Sequence, residues 1–226
     1  MFRDYLQIQT LSIVFIGDFN PVIIQPSWLA AKRLIREGEG SDSDVEVQLI
    51  HNDLVRFNIG EWCAIDVTKK RFELRSSSVP HFEAVRDLAI GIFQILKETP
   101  MNSVGINHLN HYALPDQDIY FKFGDRLAPL SNWSDFMNNP RVMLLEINEE
   151  KSPGKVSGGM RIKITPSDQK LRTSFGVLIN TNDSYQLEIG ENGRNSEVIK
   201  KLAINWDSSF KRVSEMSEKI WSKINV

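Results

Sequence analysis

Val104-Gly-Ile-Asn-His-Leu-Asn-His-Tyr-Ala113 decides how this chain is divided. Read as a strand, it follows a run of strands closed by an amphipathic helix, and after it the same order of elements returns. The chain therefore reads as two copies of one β-α-β-β-β-α unit. Residues 1–100 form the first unit and 101–226 the second, which carries a longer insertion at 114–140. Together they are expected to make one compact, pseudo-symmetric domain.

Working outward, residues 11–16 (LSIVFI) are nearly all apolar, as expected of a strand covered on both faces. Gly17 and Asn20-Pro21 end it. Pro26 suits a helix start, with Trp28, Leu29 and residues as far as Ile35 at helical spacing. Residues 38–44 (GEGSDSD) read as a polar surface loop. Three strands follow. Val45, Val47 and Leu49 alternate with polar neighbours, as do Val55, Phe57 and Ile59, and then Cys63, Ile65 and Val67. A Lys69-Lys70 turn leads the last onward to Phe72 and Leu74. Period two with one polar face predicts an antiparallel sheet with a wet side. Pro80 opens a helix presenting Phe82, Val85, Ala89, Ile92, Phe93 and Leu96, which stops before Pro100.

The second copy repeats this with less clarity. Ile119, Phe121, Phe123 and a short helix around Trp133 stand where the first copy has its Trp28 helix. Residues 142–147 (VMLLEI) read as a strand, residues 151–155 as a turn, and Met160, Ile162 and Ile164 as a strand. Phe175, Val177 and Ile179 make another, and Tyr185, Leu187 and Ile189 one more. Gly190 and Gly193 break the pattern before a long final helix, with Ile199, Leu202, Trp206, Phe210, Val213, Ile220, Trp221 and Ile224 on one face. The fold class expected is α+β: one curved antiparallel sheet under two long helices. This order of elements resembles the saddle-shaped fold of the TATA-box-binding protein, a likeness that does not carry DNA binding with it.

Composition narrows the function classes. Hydrophobic residues at 41% and charged residues at 25% suit a globular chain, and a net charge of −2 gives no global pull toward nucleic acid or anionic lipid. One cysteine excludes an internal disulfide and suits a reducing compartment. The N-terminus lacks the apolar core of a signal peptide and no apolar run could span a bilayer, so a cytoplasmic protein is expected.

No motif dictates a reaction, and no cofactor is called for. His108-x-x-His111 would share a helix face but diverges on a strand, so no shared metal is expected. Asp116, Asp118 and Asp125 lack the glycine and glutamate of a calcium loop, and Asp116 and Asp118 suit a helix start. Cys63 falls on the apolar side of its strand, which favours an inert thiol. His51 and His81 are accounted for by a turn and a helix start. The Gly158-Gly159 and Gly190/Gly193 pairs do not match a phosphate-binding loop. Trp206, Phe210 and Trp221 could line a ligand pocket, but at this spacing they read as core. Cations on wet strand faces form the most suggestive pattern: Arg56, Arg71 and Arg75 in the first copy, and Arg161, Lys163, Lys170 and Arg172 in the second. On a continuous sheet they could gather as a nucleic-acid-binding stripe. Glu46, Asp66 and Glu73 share such positions, and no aromatic residue interleaves for base stacking.

Several local signatures occur together: Phe19-Asn20-Pro21 then Trp28-Leu29, Thr99-Pro100 leading into Gly105-Ile106-Asn107, and Phe210 in the last helix. In these the chain resembles a large, sporadically distributed family of uncharacterised bacterial proteins met among accessory genes. The resemblance implies a partner-dependent role in an accessory system such as antiviral defence or a toxin–antitoxin module. It implies no catalytic residue. The expectation is a non-enzymatic protein-binding or scaffold component, with a nucleic-acid-binding module on the basic sheet face as the alternative.

Overall fold

The computed structural model describes residues 4–36, 45–149, 158–187 and 195–222. The loop at 38–44, the turn at 151–155, the glycine break at 190–193, and Ile189 and Ile224 lie outside the described residues. The elements, in order, are β1 (Leu6–Gly17), α1 (Pro26–Ala31), β2 (Val45–His51), β3 (Leu54–Ile59), β4 (Cys63–Thr68), β5 (Arg71–Ser76), α2 (Phe82–Ile95), β6 (Met101–Ala113), α3 (Gln117–Leu127), β7 (Leu145–Asn148), β8 (Gly158–Pro166), β9 (Gly176–Gln186) and α4 (Asn195–Ser222). Short 3-10 turns stand at Pro21–Ile23, Val79–His81 and Leu130–Trp133.

The described strands form one nine-stranded sheet in the order β2-β3-β4-β5-β1-β6-β9-β8-β7. Every pairing is antiparallel. The fold is α+β, with the sheet continuous through the central β1–β6 pair, where Ser12 stands opposite Asn107. Alternation decides which side chains meet the helices. Leu11, Ile13 and Phe15 of β1 are fully buried, as are Val55, Phe57, Ile65, Phe72 and Leu74 on the strands beyond.

Five expectations need correction. Four strands, not three, lie between α1 and α2, because Lys69-Lys70 turns the chain back and pairs β5 with β4. β1 is covered on one face only: Ile16 points to the open side and is exposed. α1 ends at Ala31, because Arg33 adopts a left-handed backbone at φ 55°. The segments around Val177 and Tyr185 form a single strand, β9, while β7 is shorter than its apolar run.

The core falls into two clusters that do not follow the halves of the chain. The larger joins β1, the β3–β5 wing, α2 and the first turns of α4. Phe93 of α2 sits with its ring 4.9 Å from Phe15 and 4.9 Å from Phe72, so aromatic edges lock the helix to β1 and β5. The smaller gathers Tyr112, Phe123, Ile164 and Val177 around Trp221 near the end of α4. Two local devices fix the connections. Asn195, buried at the start of α4, donates its amide to the carbonyls of Phe93 (3.0 Å) and Leu96 (2.7 Å), and so satisfies the end of α2. Gly17 packs so tightly that a Cβ there would lie 2.3 Å from the Pro100 carbonyl oxygen.

Candidate functional site

Between the two core clusters the underside of α4 meets polar strand residues. Thr181 and Asp183 of β9 and His108 of β6 alternate onto the helix-bearing face and are buried. His108 Nε2 is 3.1 Å from Ser209 Oγ, and its ring stands edge-on to Phe210 at 4.5 Å. Burial holds the His108 pKa down to about 4, so the imidazole is neutral at pH 7. Asp183 is 1% exposed and accepts a hydrogen bond from Tyr185 Oη at 2.7 Å. Arg212 of α4 donates through Nη2 to Asp183 and to Tyr185 Oη, while its Nε is buried without a partner. Burial first, and then the Asp183 carboxylate, push the Tyr185 phenol far above its ordinary value. This trio clamps α4 to β9. Asp183 accepts from both Tyr185 and Arg212, so the buried carboxylate is held by two donors that join β9 to α4.

The sequence did not single the trio out. A window over residues 180–184 reads as a polar loop, and what makes it a strand is β6 on one side and β8 on the other. The available signal was alternation within the polar run: Thr181 and Asp183 continue the inward parity of Val177 and Ile179.

The remaining candidates are placed as follows. His108 and His111 point to opposite faces of the sheet, and His111 Nδ1 meets Ser167 Oγ at 2.8 Å. Asp116 caps α3, its Oδ1 accepting from Ile119 N at 2.9 Å, and Asp125 accepts from Leu130 N at 2.9 Å. Cys63 is buried, which pushes its thiol up to about 12. His51 accepts from the Asp53 amide, and His81 bonds Ser78. Among the described residues no three of His, Cys, Asp and Glu gather as a ligand set. No described helix is long and apolar enough to cross a membrane. Trp206 and Trp221 are buried in the core, with Phe210 packed against it.

The cations divide into two groups on the open face. Arg56, Arg71 and Arg75 line one concavity on the β3–β5 wing. Arg56 is paired with Asp66 at 2.5 Å and Arg71 with Glu73 at 2.6 Å; Glu73 also accepts from Ser12 at 2.6 Å. Arg161 and Lys163 stand on β8, four strand spacings from β5, or about 19 Å. Between them run the uncharged Ser12, Asn107 and Asn182. Arg161 lies 3.8 Å from Glu146. Arg172 lies in the β8–β9 connection and donates to the Asp4 carbonyl at 2.5 Å, tying down the N-terminal segment. Lys170, in the same connection, is exposed. Arg75 and Lys163 are exposed and in no ion pair among the described residues.

A different surface stands out between α3 and β7. Trp133 is 53%, Phe136 82% and Met143 67% exposed, and Met137 and Leu144 are more than half exposed. They run into β7, which together with β2 forms the edges of the described sheet. Edge β2 also exposes Val47, Leu49 and Ile50. No protein-family model matches the chain, and no curated protein matches it.

Proposed function

We propose that this is a non-enzymatic binding or scaffold protein that holds a protein partner, within a bacterial accessory system of the defence or toxin–antitoxin kind. One observation carries the reading: the exposed set Trp133, Phe136, Met137, Met143 and Leu144 leading into the open edge of β7. Aromatic residues and methionine are the side chains enriched at protein interfaces, and large apolar groups left in water mark interaction sites. Unpaired edges add a second means of recruitment, by addition of a partner strand.

The strand order supports reading the sheet as two units, β1–β5 with α2 and β6–β9 with α4, joined through β1–β6 in the manner of the TATA-box-binding protein. In that reading α3 and the 3-10 turn at Leu130–Trp133 occupy the place of α1 in the first unit but are longer, and Trp133, Phe136 and Met137 belong to that added length. Affinity capture from the native cell, with and without nuclease, tests the proposal. A stoichiometric protein that survives nuclease and is lost from Phe136→Ser/Met143→Ser supports it. A partner that vanishes with nuclease refutes it.

The second reading, nucleic acid on the open sheet face, is favoured by Arg75 and Lys163, the strand cations of that face without a carboxylate partner among the described residues. It expects binding that falls steeply with salt and weakens in Arg75→Glu/Lys163→Glu.

A further inference from the structure

The two wings of the sheet differ on the face that carries the helices. On the β3–β5 wing the inward side chains are fully buried, roofed by Ile24 and Leu29 beside and within α1 and by α2. On the β7–β8 wing Ile147 is 53% exposed, and Leu145, Met160 and Ile162 are only partly covered. α3 supplies Phe123 to the cluster around Ile164 and Val177 and leaves the rest of that wing open. The result is a groove of about 490 Å³, floored by β7 and β8 and walled by the end of α3 and the flank of α4.

Two features say what would fill it. Two strand spacings are about 10 Å, the diameter of an α-helix with its side chains. From β3 to β9 this face is covered by helices and their flanking turns, while the edge strand β2 leaves Val47 and Ile50 half exposed; a helix beside α4 would continue the layer already built. The rim bears Arg126 and Lys219, neither in an ion pair among the described residues. The rim carboxylate, Glu215, shares its charge with Lys211 at 3.9 Å, and Arg212 is committed to Asp183. We infer that this groove docks an amphipathic α-helix of a partner protein, its apolar stripe flanked by acidic residues. The inference rests on the protein-binding reading but uses a surface separate from Phe136 and Met143.

The test uses two helical peptides of about 18 residues with the same leucine stripe, one flanked by Glu and one by Lys, titrated by fluorescence anisotropy. The Glu peptide is expected to bind about tenfold more tightly than the Lys peptide, a ratio that two rim charges can supply. Ile147→Asp, at an exposed edge position, should abolish binding without lowering the melting temperature, and Arg126→Glu/Lys219→Glu should reverse the preference. Equal affinities, or binding of the Glu peptide unaffected by Ile147→Asp, overturn the inference. So does a dimer seen by sedimentation and lost in Ile147→Asp, which would assign the groove to a second copy of the chain. Capture lost in Phe136→Ser/Met143→Ser with no peptide binding removes the groove alone; peptide binding without such capture removes the 133–144 surface alone.

Discussion

His108 is kept neutral where an unfolded chain would let it titrate near pH 6.5. As pH falls below that value the unfolded state takes up a proton that the folded state refuses until about pH 4. Stability is therefore lost over that window, by about 2 kcal/mol at pH 5 and roughly 3 kcal/mol by pH 4. His111, also lowered by burial, adds in the same direction. Denaturant titrations at pH 7 and pH 5 should show this loss, and His108→Gln should flatten it. The Asp183–Arg212 pair is asymmetric, since Asp183 is sealed and Arg212 is 41% exposed. Arg212→Ala strands a buried carboxylate and should cost on the order of 3 kcal/mol, more than Asp183→Ala, which leaves a cation able to reach water. Equal costs for the two would contradict the role given to burial. None of this was legible residue by residue, because His108 is paired with a residue of α4 101 positions away.

At the scale of elements, the helix termini and turns carry the testable weight. Asn195→Ala removes the donors to two carbonyls at the end of α2 and should destabilise by about 1–3 kcal/mol, read by chemical denaturation. Gly17→Ala places a methyl against the Pro100 carbonyl and should cost about 1–3 kcal/mol unless β1 and β6 shift apart. The strands β3 and β4 and helix α2 were readable because their alternation or helical stripe is local. Lys69-Lys70 was visible as a turn, but whether it bends or reverses the chain depends on β4 as a partner. β9 reads as two segments in the sequence because residues 180–184 are polar on both faces and are satisfied by β6, β8 and α4. Residues 142–144 read as a strand on hydrophobicity alone, yet Met143 and Leu144 are exposed. Their apolar character belongs to a surface, which periodicity does not distinguish from a core.

For the whole molecule, the central position of β1 and β6 implies a gradient of protection. Hydrogen exchange should be slowest in β1 and β6, each paired on both edges, and fastest in β2 and β7. A uniform rate across the sheet would argue against the strand order. The same centrality orders events during synthesis. β1 finds β5 once residue 76 has emerged, but its other neighbour, β6, is not complete until residue 113. At about 5–20 residues per second, the nascent chain exposes a bare edge of its longest early strand for a few seconds. The contact between Ser12 and Asn107 spans 95 residues, so the middle of the sheet closes late and on a slow, non-local step. Translation speed and chaperone occupancy should therefore govern the soluble yield of this protein more than its final stability does.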